Sequence, residues 1–281
     1  MAEISSSSSS PRDVGTTVRK VAEDFLKLKT AYERKDNDAC LDVLEDIKKK
    51  LILLPTFLNP AAQSPTRLQE LTLTREVLEH AVLVSAHLKD LDNFELYFNQ
   101  LNVYYTDIDS SELPESPLYM LVLGLNLVRL LVRSRIAQFH SQLEKIPNDI
   151  HGKNPCIRFA VLLERYLMEG SYNKLLNSRH QAPSNEYIPV VEMLETTVRQ
   201  EVAECIPRAY ARIAIGKAQK ILMVESVEEV KQLGRQYKWQ LSSDGSCFLF
   251  TREEDVARKE VPFQDMLKNH LQFAAELQRI V

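Results

Sequence analysis

Apolar residues recur three and four apart along most of this chain, and prolines and short polar runs cut the pattern into segments. Val18, Val21, Ala22, Phe25 and Leu28 share one face of a first helix. Leu41, Leu44, Ile47, Leu51 and Leu54 line a second, which starts near Asp38 and stops at Pro55. Pro55 to Pro65 contains three prolines and reads as a loop. A third helix follows over about Thr66 to Leu88, and a fourth carries Phe94, Phe98, Leu101 and Tyr105 with Asp92 as its cap.

The spacing then changes. Ser116-Pro117 supplies a cap and a proline for the first turn, and Leu118 to Val132 is apolar nearly all round, so it belongs inside a helical stack. Ile136, Phe139, Leu143 and Ile146 face inward from the next helix. Asn154-Pro155 launches another over Cys156 to Glu169, and Gly170 suits the left-handed position that ends it. Pro183-Ser184 precedes a long helix from about Asn185 to Tyr210, which Pro207 should bend or break. Consecutive helices joined by short loops predict an all-α, TPR-like solenoid of degenerate repeats over residues 14–183, since no strict consensus period is present.

After the long helix the periodicity shortens. Ile213 to Ile215 is a β-branched patch, followed by helices at Lys217 to Val224 and Ser226 to Tyr237, with Ser226 and Glu229 as a capping box. Trp239 and Leu241, then Phe248 and Phe250, alternate with their neighbours on either side of Asp244-Gly245, a strong hairpin signal. Strand, helix, helix, hairpin is the order of a winged helix, and residues 184–251 hold the end of the solenoid and this module. Residues 252–281 form a charged linker and a final helix. Phe263, Met266, Leu267, His270, Phe273, Ala274, Leu277 and Ile280 lie on one broad face of it. That stripe either folds back on its own domain or joins helices from partners.

Composition narrows the function. Seven glycines in 281 residues favour helix over sheet. A net charge of −4 lacks the basic surplus that nucleic-acid binding requires. In a winged-helix DNA reader the second helix enters the groove, yet here its leading end carries Glu228 and Glu229, which phosphate would repel. Cys40, Cys156, Cys205 and Cys247 are too scattered for a zinc site or a disulfide framework, so reduced thiols in cytosol or nucleus are expected. Residues 1–13, with the run Ser5 to Ser10, are expected to be disordered, and no secretory signal or membrane span is visible.

No phosphate-binding glycine loop, zinc-protease pair or nucleophile elbow occurs. His80 and His87 have no third ligand at a telling spacing, and Asp107 to Ser110 lacks the glycine and glutamate of a calcium loop. No catalytic residue, cofactor or metal is expected. The candidate interaction residues are Trp239, Leu241, Phe248 and Phe250 at the hairpin. Phe263, Met266, Leu267, Phe273, Leu277 and Ile280 join them on the final helix. Most of the hairpin side chains also suit the core of their own domain, which leaves the open backbone edge as the working part.

Three strings carry a resemblance: LGLNLVRLLVRSRIAQFHSQLE (Leu123 to Glu144), YLMEGSYNKLL (Tyr166 to Leu176) and ELQRIV (Glu276 to Val281). From about residue 18 onward the chain resembles the non-ATPase regulatory subunit 8 family of the 26S proteasome, PCI-domain subunits of the regulatory particle lid. Ile206-Pro207-Arg208 departs from that pattern. The resemblance implies a non-catalytic, hetero-oligomeric lid subunit in cytoplasm and nucleus, needed for lid assembly and ubiquitin-dependent degradation. It also implies a place beside non-ATPase regulatory subunit 3, winged helices set edge to edge, and C-terminal helices gathered in one bundle. The alternatives are a PCI scaffold of the signalosome or of a translation initiation factor, which should lack YLMEGSYNK and ELQRIV, and a winged-helix nucleic-acid binder.

Overall fold

A computed structural model describes residues 11–34, 36–58, 66–106, 108, 113–224, 226–242, 245–250 and 263–280. Among the described residues the fold is all-α apart from one small three-stranded sheet. It divides into two compact units, one up to Val198 and one from Arg199 onward.

In the first unit, α1 (Pro11–Glu33) packs on α2 (Asn37–Leu51), and the short α3 (Pro55–Leu58) packs on α4 (Arg67–His87). Next, α4 pairs with α5 (Leu91–Thr106), and α6 (Tyr119–Val132) meets both α7 (Ile136–Glu144) and α9 (Pro155–Met168). Two short helices, α8 (Asn148–Lys153) and α10 (Tyr172–Asn177), also pack on α9. Neighbours in sequence are thus neighbours in space, as stacked helical pairs require.

Two expectations from the sequence need correction here. The tail expected to be disordered through residue 13 gives way to helix already at Pro11, while residues 1–10 lie outside the described part. Pro55 to Pro65 is not loop throughout, because Pro55 opens the one-turn α3, a position where its missing N–H costs nothing.

Burial follows the apolar stripes. Val21 and Leu28 of α1 and Ile47 of α2 are fully buried, and α6 is buried from Gly124 through Val132. Its two polar residues are satisfied locally. Arg129 donates to Asn126 Oδ1 through Nε at 3.1 Å and Nη2 at 3.0 Å, and through Nη1 to Glu95 Oε2 at 2.8 Å. A second buried group joins α4 to the α5–α6 connection. Glu79 accepts from Tyr105 and from Ser116, each at 2.8 Å. Burial pushes the Glu79 carboxyl up, and those two bonds pull it part of the way back.

The caps are partly as expected. Asn154 Oδ1 accepts from Cys156 N–H at 2.9 Å, and Gly170 has φ +66°. The cap of α5 is Asp90 rather than Asp92, since Asp90 Oδ1 accepts from the N–H groups of Asp92 and Asn93. The long helix α11 (Ile188–Ala209) is preceded by a 3-10 turn at Asn185–Tyr187 and runs through Pro207 without a break. Pro207 lies two residues from the helix end, so little of the ladder depends on its absent N–H. Ala203 and Ile206, fully and almost fully buried, hold the backbone in place there.

Candidate docking surfaces

Past Arg199 the order is β1 (Arg212–Ala214), α12 (Ile215–Leu222), α13 (Val227–Gln236), β2 (Gln240–Leu241) and β3 (Cys247–Leu249). The strands lie in the order β1-β3-β2, all antiparallel, which is a winged helix. Ser226 caps α13 by accepting from Glu228 N–H at 3.2 Å. Gly245 has φ +63°, and its N–H bonds to Ser242 O at 2.9 Å, which closes the hairpin turn.

The interior of this unit is a cluster of Ala203, Ile206, Ile213, Ala218, Leu222, Val230, Trp239 and Phe248. Trp239 meets Phe248 edge-on at 5.1 Å and Phe250 at 5.5 Å. Trp239 and Phe248 are therefore core side chains, 8% and 3% exposed, and Phe250 is half-buried against them. Leu241, placed opposite Phe248 in the register, is 48% exposed because it stands on the outermost strand. The opposite face of the sheet presents Arg212, Gln240 and Leu249, all exposed. In the sequence, alternation alone assigns Leu249 to the side away from the core and does not mark it as an interaction residue.

The wing has an open edge. Ser242 N–H bonds back to Cys247 O at 2.9 Å, so the backbone groups of Leu241, one residue earlier, point away from β3. Among the described residues no strand pairs with that side of β2.

The final helix, α14 (Phe263–Ile280), is exposed on every side from Phe263 to Arg279. Phe263, Met266, Leu267, Phe273 and Leu277 are each at least half exposed, and so is Leu271, which extends the stripe beyond the residues expected from the sequence. Ile280 ends the helix, and its side chain lies outside the described set. The charged linker at 252–260 lies outside it as well.

Elsewhere the chemistry is structural. His87 Nε2 lies 2.5 Å from Glu186 Oε2, which also accepts from Tyr32 OH; the group ties α1, α4 and the 3-10 turn before α11 together. Beside it is a small cavity lined by Asn37 and Cys40. Burial pushes the Cys40 thiol up, the reverse of an activated nucleophile. All four cysteines are free. Among the described residues no group of His, Cys, Asp and Glu could hold a metal ion, and no helix is long and apolar enough to cross a membrane. On α13 the exposed first turn carries Glu228 and Glu229, so an approaching phosphate meets carboxylates first.

Residues 117–259, from just before α6 to just past the wing, match the model of the CSN8/PSMD8/EIF3K family. The chain belongs to that family. Within the CSN8/PSMD8/EIF3K family, its similarity to proteasome subunits extends over nearly the whole length. It is 36% identical over 264 residues to 26S proteasome non-ATPase regulatory subunit 8 homolog A of Arabidopsis thaliana, covering 93% of this chain and 98% of that protein. It is 30% identical to the 26S proteasome regulatory subunit rpn12 of Schizosaccharomyces pombe over 84% of each chain. With RPN12 of Saccharomyces cerevisiae it shares 28% over 93% of this chain and 99% of the other.

Proposed function

We propose that this chain is a non-catalytic structural subunit of the regulatory particle lid of the 26S proteasome. Its role is to complete lid assembly, and through that to support ubiquitin-dependent degradation in cytoplasm and nucleus. The observation that carries the reading is α14: an amphipathic helix whose apolar residues from Phe263 to Leu277 stand in water, on a chain whose relatives are named as proteasome regulatory subunits. An exposed stripe of this kind marks a protein interaction site. Burying it could contribute on the order of several kcal/mol before ordering costs are subtracted.

In this reading α14 joins helices of neighbouring lid subunits, and the open β2 edge lies against another PCI subunit, with regulatory subunit 3 beside it. Trp239, Phe248 and Phe250 support the edge from beneath rather than touching the partner. The family name also covers signalosome and initiation-factor proteins, but the relatives that align from end to end are proteasome subunits.

The test is affinity purification of the full chain and of a chain ending before Phe263, with partners identified by mass. The full chain should bring down lid subunits, and the truncated one should fold and fail to enter the particle. Normal co-purification of the truncated chain would remove α14 from the mechanism. Recovery of signalosome or initiation-factor subunits instead would replace the proteasome assignment.

A further inference from the structure

The apolar face of α14 contains one polar side chain at its middle. At about 100° per residue, Phe263, Met266, Leu267, Phe273 and Leu277 fall within an arc of about a third of the circumference, and Leu271 widens it on one side. Asp265, Lys268, Glu276 and Arg279 cluster on the opposite side, and His270 stands near the centre of the apolar arc. Its neighbours one turn away on that face, Met266, Leu267, Phe273 and Ala274, offer an imidazole nothing stronger than the weak thioether acceptor of Met266.

Two observations indicate what covers this face. The apolar cluster of the winged-helix unit is already closed by its own side chains, with Val230 and Ala218 fully buried and Phe248 3% exposed, so it does not need α14. The arc is also wider than the seam of a two-stranded coiled coil, so more than one partner helix must pack on it. A neutral imidazole carries one donor and one acceptor. Placing it at the centre of such a bundle without a partner costs roughly tenfold or more in affinity. A second copy of α14 answers this poorly. Antiparallel pairing in full overlap sets His270 against Phe273; parallel pairing lets two imidazoles bond each other, but a single partner helix still leaves part of the arc uncovered.

We propose that His270 is the specificity-determining residue of the α14 face: it admits only bundles in which a helix of another chain brings a hydrogen-bonding side chain into its layer. The inference rests on the proposed docking of α14. It adds that the face selects its partners by a polar demand set in an apolar surround, in the way one buried polar residue fixes register and partner in coiled coils.

The experiment is competitive incorporation in cells. Each variant is co-expressed with differently tagged wild-type chain, and the ratio of the two is measured in purified regulatory particles. The double variant Phe273→Asp, Leu277→Asp tests the underlying reading, and if it enters like wild type, α14 docking fails altogether. With that variant excluded as expected, His270→Leu should be under-represented by roughly tenfold although it is more apolar, while His270→Gln stays within about twofold of wild type. His270→Leu entering as well as wild type, or Leu and Gln falling equally, overturns the inference and leaves α14 docking in place. Sedimentation of the isolated full chain supplies the remaining arm. A wild-type homodimer that His270→Leu abolishes would make the partner a second copy and overturn the proposal. A wild-type monomer supports it.

Discussion

Lys89, Ser134 and Lys238 end helices with φ of 60°, 53° and 56°, where glycine would be the ordinary choice. Each sits in the same paired-bond motif as Gly170. At Lys89, for example, its own N–H reaches Ala86 O, and Asp90 N–H reaches Ser85 O. A chain with so little glycine thus accepts left-handed strain of about 1–2 kcal/mol at such sites. Lys238→Gly should stabilise the protein by about 0.5–1 kcal/mol, the relief being partly offset by a floppier unfolded chain; chemical denaturation of the two proteins measures it. His80 offers a different residue-scale prediction. It lies edge-on to Phe25 at 5.0 Å, and burial pushes it below its ordinary value of 6.5 despite the nearby Glu76 carbonyl. The fold therefore prefers the neutral ring. As pH falls below 6.5 the unfolded chain takes up the proton first, so this stability is present above that value and lost through the window beneath it. Thermal unfolding between about pH 7.5 and about pH 5.5 should be steeper for wild type than for His80→Phe; equal slopes would show that His80 is not a source of the dependence.

At the scale of elements, the helices and the wing were legible because periodicity and turn chemistry agreed. Asp244-Gly245 between two alternating segments announced the hairpin, and Asn154-Pro155 and Gly170 marked both ends of α9. Ends that rely on Lys89 or Ser134 carry no such mark, and that is why the sequence alone points to Asp92 and not Asp90 as the cap of α5. Pro207 misled in the other direction, because the burial of Ala203 and Ile206 that holds the helix there is a tertiary fact. For the docking surfaces, the apolar stripe of α14 was legible, but the burial of Trp239 and Phe248 against the exposure of Leu241 and Leu249 depends on which strand is central. Gly234 was silent for the same reason. A Cβ there would lie 3.0 Å from Phe248 Cε1 and 3.4 Å from Trp239 Cε3, so a side chain at this point requires the aromatic pair to give by a few tenths of an ångström. Gly234→Ala should destabilise the winged-helix unit by about 1–3 kcal/mol, overpacking outweighing the gain in helix propensity. Trp239 is the only tryptophan in the chain, so a denaturant titration followed by its fluorescence reads this unit directly. An unchanged midpoint would mean that the aromatic cluster can shift aside.

For the whole molecule, the residues that hold the fold and the exposed apolar face of α14 lie in different parts of the chain. Buried residues such as Leu28, Phe94, Leu125, Leu163 and Val191 hold the helical stack, and a separate cluster around Val230 holds the winged helix. From Phe263 to Arg279, α14 places no residue in either. A helix of its length is marginal alone in water, so its apolar face adds little until something covers it. Phe273→Asp with Leu277→Asp, or removal of everything from Phe263, should therefore shift the melting temperature of the isolated chain by less than about 2 °C, while abolishing binding of a hydrophobic dye to the native protein. Calorimetry and dye fluorescence on the same samples decide the matter. A fall of several degrees would mean that α14 packs on its own chain in solution, and the face would then be part of the fold rather than a surface kept for partners.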